Sequence, residues 1–452
     1  MEMKDSNIPC SDGDIESYRQ LMDELLQRLF SICRSITGEG IRKTMNIIAE
    51  HVPLSIMETP SGTQVFDWQI PDEWNISDAF IKDEAGQRII DFQKSNLHVV
   101  NYSIPIHKVM TLNALRPYLH TLPDQPQAIP YMTTYYEKKW GFCLTHEQYK
   151  TLRSDVNYEV CINSSLTPGV LTIAEAILPG ETDREILFST YCCHPSLANN
   201  ELSGPIIVTA LYKYLRSLPK RRYTYRFYYG PETIGALVFL DKRGDHLKQK
   251  MDAGFVVTCC GDAGPFTYKK VRRPDTLLDK SILHVLKFSR VAHKILEFFP
   301  TGSDDRQYCA PGFDLPVGTL MRSMYGTYPE YHTSLDNLEF VSSDSLLETL
   351  RVYINCIHVL EHNRYYRNLK PFGEPMLGKY GLYHSLGGQK NQGNFTKQLR
   401  YILNYSDTHH DLLDIANLLE QPMWECETAV ARLLEAHLLE LWENSENPKT
   451  NQ

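Results

Sequence analysis

The sequence predicts an α/β protein built on a mixed, mostly parallel sheet with helices on both faces. Between residues 158 and 279, apolar runs of strand length alternate with runs of helical periodicity. This alternation is typical of parallel strands joined by helical crossovers. The chain is large enough for this architecture and more, since its 452 residues are 42% hydrophobic and correspond to about three domains of average size.

The residues before this alternating region predict two helices and a nested domain. Residues 15–34 carry apolar side chains at helical spacing, and a second helix is expected over residues 41–51. A Pro-Ser-Gly sequence at residues 60–62 marks a boundary. The following segment is rich in aromatic residues and proline, with short alternating runs that predict a small α+β insert. The expected domains are a discontinuous core (residues 15–62 and 158–365), the nested insert (63–157) and a C-terminal domain (372–446).

Polar residues follow the predicted core strands at the point where each strand ends. His194 follows EILFSTYCC, Glu232 follows YTYRFYYGP, and Asp262 follows GFVVTCCG. Ligand-binding residues of such sheets collect at the carboxyl ends of the strands. A loop-rich segment later in the chain adds the runs SDDR at 303–306 and YHTSLDN at 331–337. We therefore expect these residues to share one site.

The C-terminal domain resembles a winged helix, because three short helical patterns surround the run LLDIANLLEQPMWECETAVARLLE. In a DNA-binding protein the helix from Glu425 onward would enter the major groove. Its early residues Glu425, Glu427 and Thr428 are poor partners for phosphate. A role in packing or in formation of a homodimer is the favoured interpretation.

Charge and cysteine content narrow the class of protein further. Lys and Arg number 46 and Asp and Glu number 55, a net charge of −9 that argues against nucleic acid as a partner. The N-terminal segment is polar, and no stretch approaches the length of a membrane span, so we expect a cytoplasmic protein with no membrane association. The 11 cysteines are an odd number and include the adjacent pairs Cys192/Cys193 and Cys259/Cys260, which favours reduced thiols over disulfides. No CxxC spacing occurs, which argues against a zinc ribbon.

The residues at the strand ends fit a metal hydrolase better than other enzyme classes. Such enzymes need imidazoles and carboxylates that converge on one cation, with a further carboxylate that accepts a proton from water. His194, Asp262 and His332 are the candidate ligands, and Glu232 is the candidate base. The chain lacks GxGxxG, GxxxxGK[ST] and GxSxG motifs, and neighbouring strand residues such as Cys193 and His194 are expected to face opposite sides.

Several motifs together resemble a known family. The runs HPSLANNELSG (194–204), PETIG (231–235), SDD (303–305) and YHT (331–333) resemble the co-catalytic zinc aminopeptidases. More closely, the chain resembles bacterial aminopeptidase-like proteins often found in polysaccharide-biosynthesis gene clusters. These proteins have a peptidase-like core, a nested domain of unknown function and a C-terminal winged helix, and PSGTQVFDWQIPDEWNI resembles the entry to that nested domain.

The resemblance implies a role for each motif residue and also exposes departures. The first zinc histidine of the family falls on His194, the last on His332, and the general base on Glu232. The zinc-bridging aspartate falls on Asn200, and the second glutamate of the Glu-Glu pair, a metal ligand, falls on Thr233. These losses imply one bound Zn²⁺ per chain rather than two.

The remaining ligand and the substrate contacts are assigned less directly. Asp262 is the preferred third ligand, although strict spacing places Cys260 at that position. Asp336 is expected to orient His332 by accepting its second ring N–H. Residues expected to contact substrate, by pairing with its charged or polar groups, are Asn200, Asp304, Asp305, Arg306, Tyr308 and Arg322.

These observations predict a metal-dependent hydrolase of aminopeptidase type, acting on an amide bond of a small or modified, peptide-like substrate. A role in polysaccharide or secondary-metabolite biosynthesis rests only on the resemblance. The alternative is a catalytically inactive, aminopeptidase-like binding or assembly protein, for which Asn200 and Thr233 are the supporting features. A DNA-binding regulator is a third and more distant interpretation.

Overall fold

A computed structural model describes residues 12–382 and 390–442. The described chain forms two compact units. One contains the residues up to Leu278 together with Ala292–Arg351, and the other contains Asp279–Val291 and the residues from Val352 onward. The polar N-terminal segment and the end of the predicted C-terminal domain, residues 443–446, lie outside the described residues.

The first unit is built on an eight-stranded mixed sheet, which confirms the predicted fold class. Its four central strands run parallel, and the strand Glu185–Tyr191 is buried along its whole length, as expected for a sheet covered on both faces. In spatial order the strands are Ser55–Pro60, Val170–Leu178, Thr224–Gly230, Glu185–Tyr191, Met251–Val257, Val317–Met321, Phe266–Lys269 and His293–Leu296.

Five long helices accompany these strands. The predicted helix over residues 15–34 ends at Phe30, so that Arg34 lies in a loop, and the second helix is shifted two residues toward the N-terminus. Gly204 starts the crossover helix close to a strand, since an added Cβ would lie 2.2 Å from the Val257 carbonyl oxygen. The helices are Asp12–Phe30, Glu39–Ala49, Ser203–Ser217, Ile234–Lys250 and Ser343–His362, the last of which continues into the second unit.

A second, four-stranded antiparallel sheet lies in the insert. Its strands, in spatial order, are Arg88–Asp91, Glu73–Lys82, Asn157–Thr167 and Ile106–Thr111. One face covers a core that includes Ala79, Ile81, Phe142 and Val160. Because Asn157–Thr167 pairs with both neighbours over most of its length, this sheet extends ten residues past the expected boundary at residue 157.

The second unit contains helices around a small antiparallel sheet. The sheet strands are Asp407–Asp411, Tyr365–Asn368 and Leu439–Trp442, and the three helices expected from the sequence are Lys390–Tyr405, Leu412–Leu419 and Met423–Glu435. Asp411 begins the middle helix with a reciprocal capping box to Asp414. The helix Leu277–Phe288 contributes most of its length to this unit.

Short elements complete the described chain. They are the strands Gln64–Val65, Trp68–Gln69, Leu119–His120 and Phe142–Cys143, the helices Leu112–Leu115, His146–Lys150 and Asp305–Tyr308, the 3₁₀ turns Asn96–His98, Arg116–Tyr118 and Leu377–Tyr380, and a π-helical turn at Ala198–Leu202. Among the described residues, no helix combines the length and the apolar character that crossing a membrane requires.

Candidate active site

His194 lies at the carboxyl end of the buried strand Glu185–Tyr191, where the sequence places it. Its Nδ1 atom is 2.8 Å from Oε2 of Glu201 and 3.1 Å from Oδ1 of Asn200. Its Nε2 atom is 3.7 Å from Oε2 of Glu232. The imidazole thus contacts three of the oxygen-bearing side chains that follow the sheet.

Asn200 joins the two motif histidines. The Nε2 atom of His332 is 3.2 Å from Oδ1 of Asn200, the same oxygen that His194 contacts, and the two imidazole centroids are 5.2 Å apart. The π-helical turn Ala198–Leu202 carries the asparagine into this position, because the wider turn reorients successive side chains. Two residues separated by 138 positions in the chain therefore converge on one amide oxygen.

The two imidazoles have opposite electrostatic environments. Burial lowers the pKa of His194, but the carboxylates of Glu201 and Glu232 outweigh burial and raise that pKa to about 9. Burial, reinforced by the charge of His194, lowers the pKa of His332 to about 3. In the metal-free protein at neutral pH one imidazole is thus charged and the other is neutral.

Glu201 is a site residue that the sequence analysis missed. Its side chain is fully buried, and Oε1 accepts the main-chain N–H groups of Cys193 and His194. Donor atoms of Cys193, His194 and Glu201 all lie within 4.8 Å of one another, a group able to hold a metal ion. The available signal was that Glu201 is the sole carboxylate in HPSLANNELSG. Cys193 faces His194 because the strand has already ended at Tyr191.

Glu232 and Thr233 occupy a strained turn before the helix Ile234–Lys250. Thr233 has φ 63° and ψ −79°, and the Ile234 N–H donates to the Glu232 carbonyl oxygen at 2.8 Å, which defines a γ-turn of the rare type. A β-branched residue with positive φ is costly, and such strain is concentrated at functional sites. Burial raises the pKa of the Glu232 carboxyl group, as a general base working near neutral pH requires.

Arg306 lies against Thr233, the position at which the resemblance implies a metal ligand. Its guanidinium donates to Oγ1 of Thr233 at 2.6 Å. Oδ1 of Asp304 accepts the Thr233 main-chain N–H at 2.7 Å, and burial raises the pKa of this carboxyl group well above its ordinary value. Both residues thus lie beside the turn that carries Glu232.

Asp262 does not join His194 and His332, contrary to expectation. Its carboxylate accepts hydrogen bonds from the Asn199 side chain (2.8 Å), from the Ser323 hydroxyl (2.6 Å) and from the main chain of Gly264 (2.7 Å). The potential metal-binding groups among the described residues place Glu201, not Asp262, with His194. The reason is that Asp262 lies beyond a bend at Cys259, φ 49°, where the chain leaves the strand.

Asp336 has a different partner from the one expected. Its carboxylate accepts the main-chain N–H groups of Asn199 at 2.6 Å and Asn200 at 2.9 Å. It therefore holds the π-helical turn that positions Asn200, and the hydrogen bonds of its carboxylate do not include His332. The prediction that Asp336 orients His332 is therefore wrong, because Asp336 instead fixes the main chain of Asn200, whose side chain lies between the two histidines.

Three other residues that were expected to contact substrate, Asp305, Tyr308 and Arg322, are buried and bonded to other side chains of the protein. Oδ2 of Asp305 is 2.7 Å from the ammonium of Lys269, and both side chains are fully buried. The Tyr308 hydroxyl is 2.8 Å from that of Ser189 and is inaccessible. Arg322 pairs with Glu348 at 2.7 Å. Sequence proximity to a motif did not distinguish these buried partners from cleft residues.

The insert contributes directly to the site. The Tyr131 ring lies 4.8 Å from the His194 ring and 5.2 Å from the His332 ring, and the Tyr131 N–H donates to the His332 carbonyl oxygen at 2.8 Å. A cleft of about 870 Å³ opens beside these residues, lined by aromatic, apolar and polar side chains of the insert and by residues 328, 329 and 331–333. Its lining contains no Lys or Arg.

Arg34 is a second residue that the sequence analysis missed. Its side chain is fully buried, Nε donates to the His194 carbonyl oxygen at 3.1 Å, and an Nη donates to the Leu29 carbonyl oxygen at 2.6 Å. Burial lowers the pKa of the guanidinium, and the charge of Glu201 partly offsets this effect. Arg34 therefore connects the first helix to the main chain of His194.

Family models match nearly the whole chain. A model described as a domain of unknown function, DUF4910, matches residues 23–363. The chain belongs to the DUF4910 family. A second model, a winged helix-turn-helix, matches residues 364–441, which confirms the expected winged helix.

A similar protein and a similar solved structure place this DUF4910 protein among the aminopeptidase-like folds. A Clostridium acetobutylicum protein, described as a candidate polysaccharide biosynthesis protein with an aminopeptidase-like domain, is 48% identical over 392 residues, 87% of this chain and 89% of that protein. A crystal structure of a candidate peptidase from Clostridium acetobutylicum has a TM-score of 0.89 and 43% identity, covering 95% of this chain and 99% of that one.

A more distant neighbour shows the fold alone. The zinc aminopeptidase of Bacillus subtilis has a TM-score of 0.55 and 12% identity, with 76% of this chain and 95% of that chain covered. The expected resemblance to zinc aminopeptidases is confirmed at the level of the fold. The fold of this DUF4910 protein is therefore aminopeptidase-like.

Proposed function

We propose that this protein is a zinc-dependent hydrolase that cleaves an amide bond in a small, uncharged or weakly charged substrate. The observation that carries the proposal is the convergence of His194 and His332 on Oδ1 of Asn200, at 3.1 and 3.2 Å, with the Glu232 carboxylate 3.7 Å from His194. Two imidazoles beside a carboxylate with a raised pKa are the parts that hydrolytic metal sites use.

The donor set fits zinc. Imidazole nitrogens and carboxylate oxygens are suitable zinc ligands. His194 and Glu201 supply two buried donor atoms within 4.8 Å of each other, and the partly buried His332 is joined to His194 through the Asn200 amide oxygen. We assign these three residues as the ligands, with the amide oxygen of Asn200 beside them. The charge on His194 in the metal-free protein would be lost when the ion binds, because a ligating imidazole is neutral.

One zinc ion in the candidate active site agrees better with its residues than two. Asn200 offers a neutral amide where a bridging carboxylate would offset the repulsion between two cations. Thr233 lacks a carboxylate, and the guanidinium of Arg306 lies 2.6 Å from its hydroxyl. A fixed positive charge at that point opposes a second cation.

The chemistry divides between the metal and the side chains of this chain. A bound zinc ion supplies Lewis-acid polarisation of a carbonyl oxygen. Glu232 accepts the proton of the attacking water and returns it to the departing amine, a role that fits its raised pKa. Tyr131 excludes water from one side of the histidines, and Arg34 holds the His194 main chain.

The cleft indicates the class of substrate. Its volume of about 870 Å³ suits a small molecule. Tyr131, Tyr328 and Tyr331 offer flat surfaces to a sugar or an aromatic ring, and the absence of Lys and Arg from the lining disfavours phosphorylated or strongly anionic substrates. An amide-bearing intermediate of polysaccharide assembly fits this lining and the name of the Clostridium acetobutylicum relative. We further propose a cytoplasmic protein that binds neither nucleic acid nor membrane and forms a homodimer.

Zinc content is the first test. Elemental analysis of wild-type protein, purified without chelators or a His-tag, is compared with His194→Ala and His332→Ala, and with His107→Ala as a control in which a largely exposed insert histidine is removed. We expect each site variant to bind one zinc fewer than wild type, while the control is unchanged. Equal zinc content in wild type and site variants, with all variants folded by circular dichroism, would refute the metal assignment.

Activity is the second test. Wild type and Glu232→Gln are compared on a panel of aminoacyl and N-acylated sugar amides. Loss of the general base is expected to reduce kcat by a factor of about 10² to 10⁴ while zinc content is retained. Hydrolysis at equal rates by both proteins contradicts the role of Glu232.

A second candidate function is supported by the same departures. Asn200 and the Thr233–Arg306 contact also suit a catalytically inactive protein that binds a small amide in the cleft. Binding of panel compounds by wild type and Glu232→Gln alike, without turnover by either, would favour this alternative.

A further inference from the structure

A cluster of potential metal ligands lies in the second unit, within the described residues 352–362 and 423–435. It consists of His358 and His362, one helical turn apart on Ser343–His362, and Glu427 on the helix Met423–Glu435. One ligand atom from each residue lies within 4.8 Å of the other two. Residues at i and i+4 share a helix face, so the two imidazoles project together toward the second helix.

The hydrogen bonds of His358 and His362 leave each imidazole a ring nitrogen that can bind a metal ion. Nδ1 of His362 is 3.0 Å from the His358 carbonyl oxygen, so this ring donates its Nδ1–H to the helix and keeps Nε2 as the acceptor atom. Donation of one ring N–H to a main-chain carbonyl is the usual support for a metal-ligating histidine. Nε2 of His358 is 2.6 Å from Oε1 of Glu427, so its ligand nitrogen faces the carboxylate.

We propose that His358, His362 and Glu427 form a second zinc site, which ties the end of one helix to the recognition-like helix of the winged-helix unit. Two imidazoles and one carboxylate satisfy three positions of a tetrahedral zinc ion, and water from the exposed side of the cluster fills the fourth. The site is separate from the candidate active site in sequence, in unit and in ligands. It goes beyond the proposed hydrolase function and does not depend on it.

The side chains need small movements to admit the ion. Ligands 2.0–2.1 Å from a tetrahedral zinc ion are about 3.3 Å apart, whereas the His358–Glu427 pair is now 2.6 Å apart. The rings of His358 and His362 are stacked at 4.1 Å and must rotate so that both planes point at the ion. His362 is exposed, and the side chains of His358 and Glu427 are 24% and 34% exposed, so rotation meets little packing.

Another cluster of histidine and glutamate side chains, with two glutamates and one histidine, serves as a contrast. Glu24, Glu50 and His51 also bring donor atoms together. There the Arg28 guanidinium is 2.7 Å from Glu24 and 2.6 Å from Glu50. A cation already neutralises both carboxylates, so a metal ion would have to displace it. Within the described part of the chain, Glu427 pairs with His358, which is itself one of the proposed ligands.

The test is zinc binding by the full chain in the His194→Ala/His332→Ala background, which removes the imidazoles of the candidate active site. Chelator-stripped protein is titrated with zinc chloride against a chromophoric chelator. We expect about one equivalent of zinc, with affinity reduced at least tenfold by His362→Asn or by Glu427→Gln. His437→Asn, which replaces an exposed histidine of the same unit, is the matched control and should bind as the background protein does.

The ligands are identified by a second readout. Cobalt(II) should give visible d–d bands in the background protein without a sulfur charge-transfer band, and these bands should disappear in His362→Asn. Unchanged zinc affinity in both ligand variants overturns the proposal and leaves His358 and Glu427 as an ordinary ion pair. Since the wild-type protein is titrated in parallel, failure of the active-site zinc and failure of this site give different losses of stoichiometry.

Discussion

Arg226 is the centre of a buried ion-pair network on the strand Thr224–Gly230. Its guanidinium is 2.8 Å from a Glu185 oxygen and 2.5 Å from a Glu175 oxygen, and all three side chains are 4–5% exposed. Arg243 also contacts Glu175, and His246 contacts Glu185 at 2.7 Å. Arg226→Met keeps the length of the side chain but removes the charge shared by two carboxylates.

The loss of unfolding free energy in Arg226→Met depends on how well the remaining carboxylates, Glu175 and Glu185, are still paired. Removing one partner of a buried ion pair costs about 3–5 kcal/mol. Because Glu175 keeps Arg243 and Glu185 keeps His246, we expect the lower end, about 3 kcal/mol at pH 7. A surface change such as Arg216→Met, at an exposed position, should cost less than about 0.5 kcal/mol.

The stability lost in Arg226→Met should depend on pH. In the wild-type protein burial raises the pKa values of Glu175 and Glu185, but their cationic neighbours outweigh burial and hold both pKa values below 4.5. These groups therefore stabilise the fold above pH 4.5, and that contribution is lost as pH falls through the native pKa values. Without Arg226, burial dominates and the pKa values rise, so the difference between wild type and Arg226→Met should shrink from pH 7 to pH 5.

The assay is equilibrium urea unfolding at pH 7 and pH 5, since urea does not screen charges. Hydrogen exchange of the strand Thr224–Gly230 assigns the unfolding transition to the first unit. A loss of 3 kcal/mol corresponds to about a 100-fold faster exchange of this strand in Arg226→Met than in wild type at pH 7. A loss at pH 7 no greater than that of Arg216→Met, or a loss that grows toward pH 5, would refute the reasoning.

Three further predictions concern the site, its support and the second unit. Asn200→Asp should tighten zinc binding at least tenfold, because it places a carboxylate within 3.2 Å of both imidazoles; unchanged affinity in chelator competition argues against an ion there. Gly204→Ala should cost about 2 kcal/mol in urea unfolding, because the new Cβ meets a carbonyl oxygen at 2.2 Å; a neutral effect contradicts this packing. Burial lowers the pKa of His284, whose Nε2 accepts the Met423 N–H at 2.9 Å. Because the unfolded chain then takes up a proton more readily than the folded one, the second unit should lose stability as pH falls below 6.5. This pH dependence should be weaker in His284→Gln.

The strand-end argument succeeded where the chain continues directly from a strand. His194 and Glu232 follow buried parallel strands, and these two side chains lie 3.7 Å apart. Asp262 follows a strand in the same way, but a left-handed residue at Cys259 intervenes and its carboxylate bonds to Asn199, Ser323 and Gly264. Backbone reversals of this kind have no periodic signature in a sequence.

Residues that act through burial escaped prediction for a different reason. Arg34 was expected within a helix, yet the helix ends at Phe30 and the guanidinium reaches the carbonyl of His194, 160 positions away. Glu201 was not predicted because the motif comparison assigned a role to its neighbour Asn200 and none to Glu201. Its carboxylate nevertheless accepts hydrogen bonds from two main-chain N–H groups at the end of the strand. Both charges are tolerated in the interior because partners from distant segments meet them there.

The sequence by itself determined the alternation of strands and helices, the C-terminal winged helix and the positions of the two motif histidines. Those features depend on local periodicity and on short motifs, which a linear chain records. Only the tertiary structure decided that Glu201, rather than Asp262, lies beside His194, that Asp336 holds the main chain of Asn200, and that Arg306 contacts Thr233. The partners of a buried charge are fixed by which segments pack together, and desolvation makes that choice specific only once the chain has folded.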